Sequence, residues 1–141
     1  MSASQGRGRR NKGKLGEREW AAYCRDHYGL ADSRRTAQRM GAPDSNDVVS
    51  WPGTFCEVKR VEKLNVEDAM RQAEDDCGTY IVTSPDLPGS ALRETSIPYV
   101  AHRRNRTEWL VTLRAADLLE FCRRVLASQE QPSRDAAQQE K

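Results

Sequence analysis

Asp47, Glu57 and Lys59 stand at the ends of two strongly apolar, β-prone runs, Asp47-Val-Val-Ser-Trp51 and Phe55-Cys-Glu-Val-Lys59. An ionised carboxylate within a buried strand must be paired, hydrogen-bonded or metal-bound, because desolvating it alone is prohibitive. Two acids and a lysine converging on one place point to a cation site. With a third acid, Glu17, they form a set of hard oxygen ligands of the type Mg²⁺ or Mn²⁺ prefers, and the backbone carbonyl of Val58 can complete it. A divalent ion held there lowers the pKa of its bound water and polarises a phosphoryl oxygen. Lys59, two residues from Glu57 and on the same strand face, can orient that water or steady developing negative charge. The chemistry implied is phosphodiester hydrolysis.

Register tests that convergence. The pair Pro52-Gly53 favours a turn between the two runs. If Trp51 faces Phe55 across a three-residue loop, Val49 faces Glu57 and Asp47 faces Lys59, all on one side of the ribbon. A two-residue Pro-Gly loop puts Asp47 opposite Val58, away from Glu57. A two-carboxylate site therefore predicts the odd-length loop, with Thr54 inside it; both lengths are common.

The elements that must position these residues follow from periodicity. Leu15 to Tyr28 is helical and stops at Gly29, with Glu17, Trp20, Ala21, Cys24 and Tyr28 on one face. That turns Glu17 inward and leaves Glu19 facing solvent. Leu30 to Ser33 reads as a short edge strand, and the polar stretch from Arg34 to Asn46, broken by Gly41 and Pro43, as a long loop. Asn65 caps a helix from Val66 to Cys77. Tyr80 to Ser84 reads as a buried strand, and Pro85 to Ser96 as a connection without pattern. Pro98 to His102 and Glu108 to Leu113 are strand-like around the basic tip Arg103-Arg-Asn-Arg-Thr107. Ala115 to Leu126 is a closing helix using Leu118, Leu119, Cys122, Val125 and Leu126. The sum is an α/β fold, a central mixed β-sheet flanked by helices.

Length and charge bound the rest. The chain has 141 residues and a formal net charge of +2, one domain's worth with little overall bias. The distribution says more, because Arg7, Arg9, Arg10, Lys12 and Lys14 precede the first acid, Glu17, in a glycine-rich segment. Residues 1–14 therefore read as a flexible basic arm of the kind that neutralises phosphates, 15–126 as the folded domain and 127–141 as a disordered polar tail. Arg34, Arg35 and Arg39 are further candidate phosphate contacts. No apolar run approaches the roughly 18 residues a membrane span needs, and the N-terminus lacks a signal-peptide core, so a soluble, cytoplasmic protein is expected. Cys24, Cys56, Cys77 and Cys122 are scattered, without paired spacing, and read as buried small hydrophobes.

Glu57-Val-Lys59 preceded by Asp47 resembles the PD-(D/E)xK nuclease core, and the literal Pro43-Asp44 offers a rival for the first acid. Lys12-Gly13-Lys14-Leu15-Gly16-Glu17-Arg18, a K-G-x-x-x-E-R run opening the first helix, is similar to the archaeal-type Holliday junction resolvases, as is Gln72-Ala73-Glu74 downstream. The likeness covers roughly residues 12–84. It implies a restriction-endonuclease-like fold, Glu17, Asp47 and Glu57 as metal ligands, Lys59 as the catalytic lysine and Gln72 near the site. It further implies Mg²⁺ with Mn²⁺ as substitute, a homodimer, and paired cuts across a four-way DNA junction inside the source cell or a phage-infected host. Asp47 is preferred to Asp44 because it begins the Val-Val strand, where the family's aspartate sits. Those resolvases often carry a Ser-Gly-containing loop with a catalytic serine; this chain offers Ser33 or Thr36 instead.

Two other readings stand beside the junction nuclease. One is a restriction- or repair-type relative cutting duplex or flap DNA; the other is a non-catalytic nucleic-acid-binding module whose acids form structural ion pairs. Deleting residues 1–14 is expected to weaken DNA binding and flatten its dependence on salt, measured by fluorescence anisotropy across a salt series, because each lost phosphate contact removes released counterions.

Overall fold

Strand β1, Thr54–Arg60, carries Glu57 and Lys59, and its alternation decides which side of the protein each side chain faces. The computed structural model describes the backbone of residues 3–36, 47–77, 79–83 and 91–130. The order is α1 (Ala3–Tyr28), β1, α2 (Val66–Asp76), β2 (Thr79–Thr83), β3 (Ala91–Thr95), β4 (Ile97–Arg103), β5 (Leu110–Thr112), a single 3-10 turn (Ala115–Asp117) and α3 (Leu118–Glu130). β1 pairs in parallel with β4, from Thr54 opposite Ile97 to Arg60 opposite Arg103, and β4 pairs antiparallel with β5. This small mixed three-stranded sheet with its helices is an α/β fold. β2 and β3 form a separate antiparallel pair.

The two faces of the sheet bury different sets. On one, Cys56 and Val58 join Ile97, Tyr99 and Ala101 beneath Trp20, Ala21 and Cys24 of α1 and Phe121 of α3. On the other, Val100 packs with Ala69, Met70 and Ala73 of α2. Glu57 lies beside Val100 in the parallel register, so it and Lys59 belong to the α2 face, whereas α1 covers the opposite one. Trp20 anchors α1: its indole N–H donates to the Tyr99 hydroxyl at 3.4 Å, and that hydroxyl donates to Ser50 Oγ at 2.7 Å. Both buried polar tips are thereby satisfied.

Two glycines allow close approaches that fix the site's frame. Gly53 has φ +76° and follows Pro52 in a tight turn closed by the Thr54 N–H to the Trp51 carbonyl at 3.2 Å, the pattern of a type II turn. Its carbonyl also accepts from the Ile97 amide at 3.0 Å and from Arg124 of α3, tying the starts of β1 and β4 to the last helix. Gly16 lies where α1 crosses β1; a Cβ there would stand 2.9 Å from the Arg60 Cβ and 3.7 Å from Val58.

Several sequence expectations are corrected. The basic segment expected as a flexible arm is continuous with α1 from Ala3, since no proline interrupts residues 3–28 and Arg, Lys, Ala and Gln propagate a helix begun in the packed half. Leu30 to Ser33 forms turns rather than an edge strand, and part of the patternless connection pairs as β3. α2 begins where expected, with Asn65 Oδ1 accepting the Asp68 amide at 3.1 Å. In α3, Phe121 is the buried residue and Val125 packs against the core, while Leu118, Leu119, Cys122 and Leu126 are exposed, Leu119 at 82 %. Position 121, not the leucines, faces the Trp51 and Tyr99 rings, and the helix therefore carries an outward apolar stripe. It runs on to Glu130, past the expected boundary at 126; residues 131–141 lie outside the described residues. No helix among the described residues is long and apolar enough to cross a membrane.

The two α1 glycines separate propensity from packing. Gly13→Ala, with nothing within 4 Å of the added Cβ, is expected to stabilise the fold by about 0.5–1 kcal/mol. Gly16→Ala is expected to destabilise it by about 1–3 kcal/mol through overpacking. Urea denaturation of both variants measures the difference.

Candidate active site

Asp47 is held by backbone on both of its sides. Residues 34–36 and 47–49 run antiparallel: Arg35 bridges Val48, the Val49 amide donates to the Arg34 carbonyl at 2.9 Å and the Thr36 amide to the Asp47 carbonyl at 3.2 Å. On the other side the Asp47 amide donates to the Cys56 carbonyl at 3.0 Å, and its Oδ2 accepts the Val58 amide at 2.9 Å. Because β1 has β4 on its other flank, these bonds place Asp47 at the free edge of the sheet. The N–H and C=O of one strand residue point the same way, so the Val58 carbonyl is turned to that edge too.

The expected odd-length loop is not present, and the geometry shows why it is not required. The turn after Trp51 has two residues, Pro52 and Gly53, yet Asp47 and Glu57 still meet. The Asp47 amide still bonds Cys56 of β1, but beyond it the segment 47–49 pairs with 34–36 through an isolated bridge rather than continuing a hairpin with β1. Ribbon register therefore does not govern the Asp47 side chain, which bends under the Val58 amide.

From this edge the other residues follow in a chain. Glu17 reaches the site from α1, forms an ion pair with Arg35 and feels the negative charge of Asp47. Glu57 approaches from the α2 face, with Lys59 Nζ 3.3 Å away. Lys59 in turn donates to Gln72 Oε1 of α2 at 2.8 Å. Glu17, Asp47 and Glu57 are all buried. The five residues singled out from sequence as catalytic thus stand in one connected arrangement built from α1, the Asp47 edge, β1 and α2.

The electrostatics of that arrangement are unfavourable to its own anions. Burial pushes all three carboxyls above the usual range. For Glu17 the Arg35 hydrogen bond opposes the rise, and for Asp47 the Val58 amide and Lys59 do. Glu57 suffers burial and then the Asp47 charge, with Lys59 compensating in part, and is pushed up to about 7. Asp47 and Glu57 interact strongly enough that the pair, rather than either residue, retains a proton towards neutral pH. Three buried oxygen ligands short of positive charge fit a hard divalent cation by donor type and by charge. Among the described residues no three of His, Cys, Asp and Glu already form a metal cage, since Glu17 is turned to Arg35 and Glu57 to Lys59.

Other candidates divide. Arg35, expected as a phosphate contact, is engaged with Glu17, and the Arg34 guanidinium donates to the Asp32 carbonyl at 3.2 Å. Lys14 is exposed and close enough to stabilise the Glu17 charge. Arg39 and the rival acid Asp44 lie outside the described residues, as do the side chains of Arg7, Arg9, Arg10 and Lys12. Ser33 is buried, with its hydroxyl donating to the Val49 carbonyl at 2.6 Å, whereas Thr36 Oγ1 lies 3.4 Å from the Asp47 carbonyl. Thr36 is therefore the hydroxyl adjacent to the acids. Glu19 is not a solvent-facing residue: it is ion-paired with Arg60 at 3.1 Å and Arg103 at 2.7 Å, because the Gly16 crossing brings that flank of α1 down on β1.

Asp76 went unnoticed in the sequence. The last residue of α2, it adds negative charge to both Asp47 and Glu57. Its signal was available in the i, i+4 spacing from Gln72. The chain matches no family model, no curated protein and no solved structure.

A pH dependence follows from Glu57. In the unfolded chain its carboxyl ionises near 4.5, whereas in the metal-free fold it holds its proton to about 7. Between these values the unfolded state binds fewer protons, so stability falls as pH rises, by on the order of 3 kcal/mol in all. Thermal denaturation from pH 4.5 to 8 is expected to show this decline, and Glu57→Gln to flatten it. Mg²⁺ is expected to raise the midpoint more at pH 8 than at pH 5.

Proposed function

We propose that this protein is a metal-dependent DNA endonuclease of the PD-(D/E)xK type, selective for branched DNA and resolving four-way junctions by paired phosphodiester hydrolysis. The observation that carries this reading is the meeting of Glu17, Asp47, Glu57, Lys59 and Gln72 at one sheet edge, although they come from separate parts of the chain. Glu57 and Lys59 on one strand with Asp47 brought against it agree with the placement that the resemblance to the PD-(D/E)xK core implies.

Each side chain has a distinct task. Glu17, Asp47 and Glu57, with the Val58 carbonyl, would hold Mg²⁺ or Mn²⁺, which supplies an acidified water and a Lewis acid for the phosphoryl oxygens. The Val58 amide fixes the Asp47 rotamer, so the carboxylate is preorganised rather than recruited. Lys59 sits beside Glu57 where it can steady charge building on the attacked phosphate, and Gln72 holds its ammonium in place. Arg35 beside Glu17 puts a second cation at the same edge, suited to the phosphate of an incoming strand.

Cleavage with Mg²⁺ or Mn²⁺ of a labelled four-way junction beside a linear duplex tests the proposal. The junction is expected to be cut symmetrically and the duplex spared. Asp47→Ala, Glu57→Ala and Lys59→Ala should each lower the cleavage rate by about 10²–10³-fold while leaving junction binding intact or tighter. Gln72→Ala, which acts through Lys59, should cost about tenfold. Equal cutting of both substrates returns the reading to a duplex or flap nuclease. Binding without cleavage in either metal returns it to a non-catalytic nucleic-acid module.

A further inference from the structure

An open groove of about 1130 Å³ runs between the β1–α2 connection and the β4–β5 turn, lined by Lys63, Leu64, His102, Arg104 and Thr107 among others. It begins next to the site, because His102 is the register partner of Lys59 and shares its face of the sheet. Its far wall is the basic tip noted in the sequence, and that tip is fixed in place. Thr107 Oγ1 donates to the Arg104 carbonyl at 2.9 Å and accepts the Arg104 amide at 3.0 Å. Arg106 takes φ 61°, a left-handed conformation that costs a non-glycine residue energy. The Asn105 amide donates to Glu62 Oε1 at 3.0 Å, pinning the tip to the opposite wall.

The charges of the groove are divided in a way that matters. Of the acids, Glu62 is committed to the Asn105 amide, leaving exposed Glu108. Arg103 is committed inward, to Glu19 and over the Trp109 ring at 5.4 Å. Lys63, Arg104 and Arg106 are exposed and have no acidic partner among the described residues. Two cations in the groove, Lys63 and Arg104, and a third on the tip beside it, Arg106, next to a site that would cleave a phosphodiester, complement a repeating anion.

We infer that this groove is a backbone track for a nucleic-acid strand continuing from the cleavage site, with Lys63 and Arg104 contacting its phosphates from the walls and Arg106 from the tip outside them; the inference rests on the nuclease reading for the identity of the polyanion. The tip's strained, tied backbone presents the arginines in a fixed position, so less ordering is required when the strand binds.

The test uses the full-length chain in EDTA, with a labelled four-way junction and a labelled single strand as probes over a salt series. Lys63→Ala/Arg104→Ala/Arg106→Ala is expected to weaken binding about tenfold or more at moderate salt and to reduce the magnitude of the log Kd against log salt slope by about two to three. Arg104→Lys/Arg106→Lys should retain the wild-type slope, which separates lost charge from a misfolded tip. An unaltered affinity and slope in the triple alanine variant would overturn the track while the wild type still cleaves junctions. A reduced slope in a protein that cleaves nothing would uphold the track and overturn the nuclease.

Discussion

The Val58 amide donating to Asp47 is the contact on which the arrangement at the sheet edge depends. β1 is an edge strand, and an edge strand presents backbone groups that must find partners. Here the partner is a carboxylate. One hydrogen bond therefore satisfies the outward amide of Val58, fixes the aspartate and brings it against Glu57 and Glu17, whose approach from opposite faces of the sheet would otherwise leave a strand between them. Removing the bond would leave a buried amide and a buried acid both unsatisfied.

Charge around this edge is arranged in layers. Arg35 and Lys59 stand against the inner acids. Further along α1, Glu19 draws Arg60 and Arg103 together, and that cluster seats the helix that delivers Glu17. Trp20, fully buried between these two glutamates, fixes their rotation about the helix axis. The same helix thus uses one acid for packing and another for the site, and position on the helix decides which. The inner pairs only partly offset burial, so the three acids keep raised pKa values and hold protons to higher pH than free carboxyls do.

Sequence revealed most where cost was visible. Acids written into apolar runs marked Asp47 and Glu57, helical spacing turned Glu17 inward, and the Asn65 cap and the apolar spacing after it located α2. It was less informative where pairing is non-local. The pairing of 47–49 with 34–36 joins residues 11 or more positions apart, and no local pattern encodes it. The face of α3 was misread because a leucine-rich helix offers two plausible stripes, and only the Trp51 and Tyr99 rings select Phe121. Asp76 was missed because a helix-terminal acid looks like ordinary surface until Lys59 is seen to reach Gln72, one turn before it.

The bonds joining 34–36 to 47–49 have a consequence for the stretch they enclose. Thr36 and Asp47 are clasped together at 3.2 Å, so the ten positions between them are closed off at the base. Lengthening a loop already closed in this way costs only logarithmically in chain entropy. The clasp itself is made by Thr36 and Asp47 and does not depend on how many residues separate them. The position of the aspartate is thus set by the residues that clasp it at 34–36 and along β1.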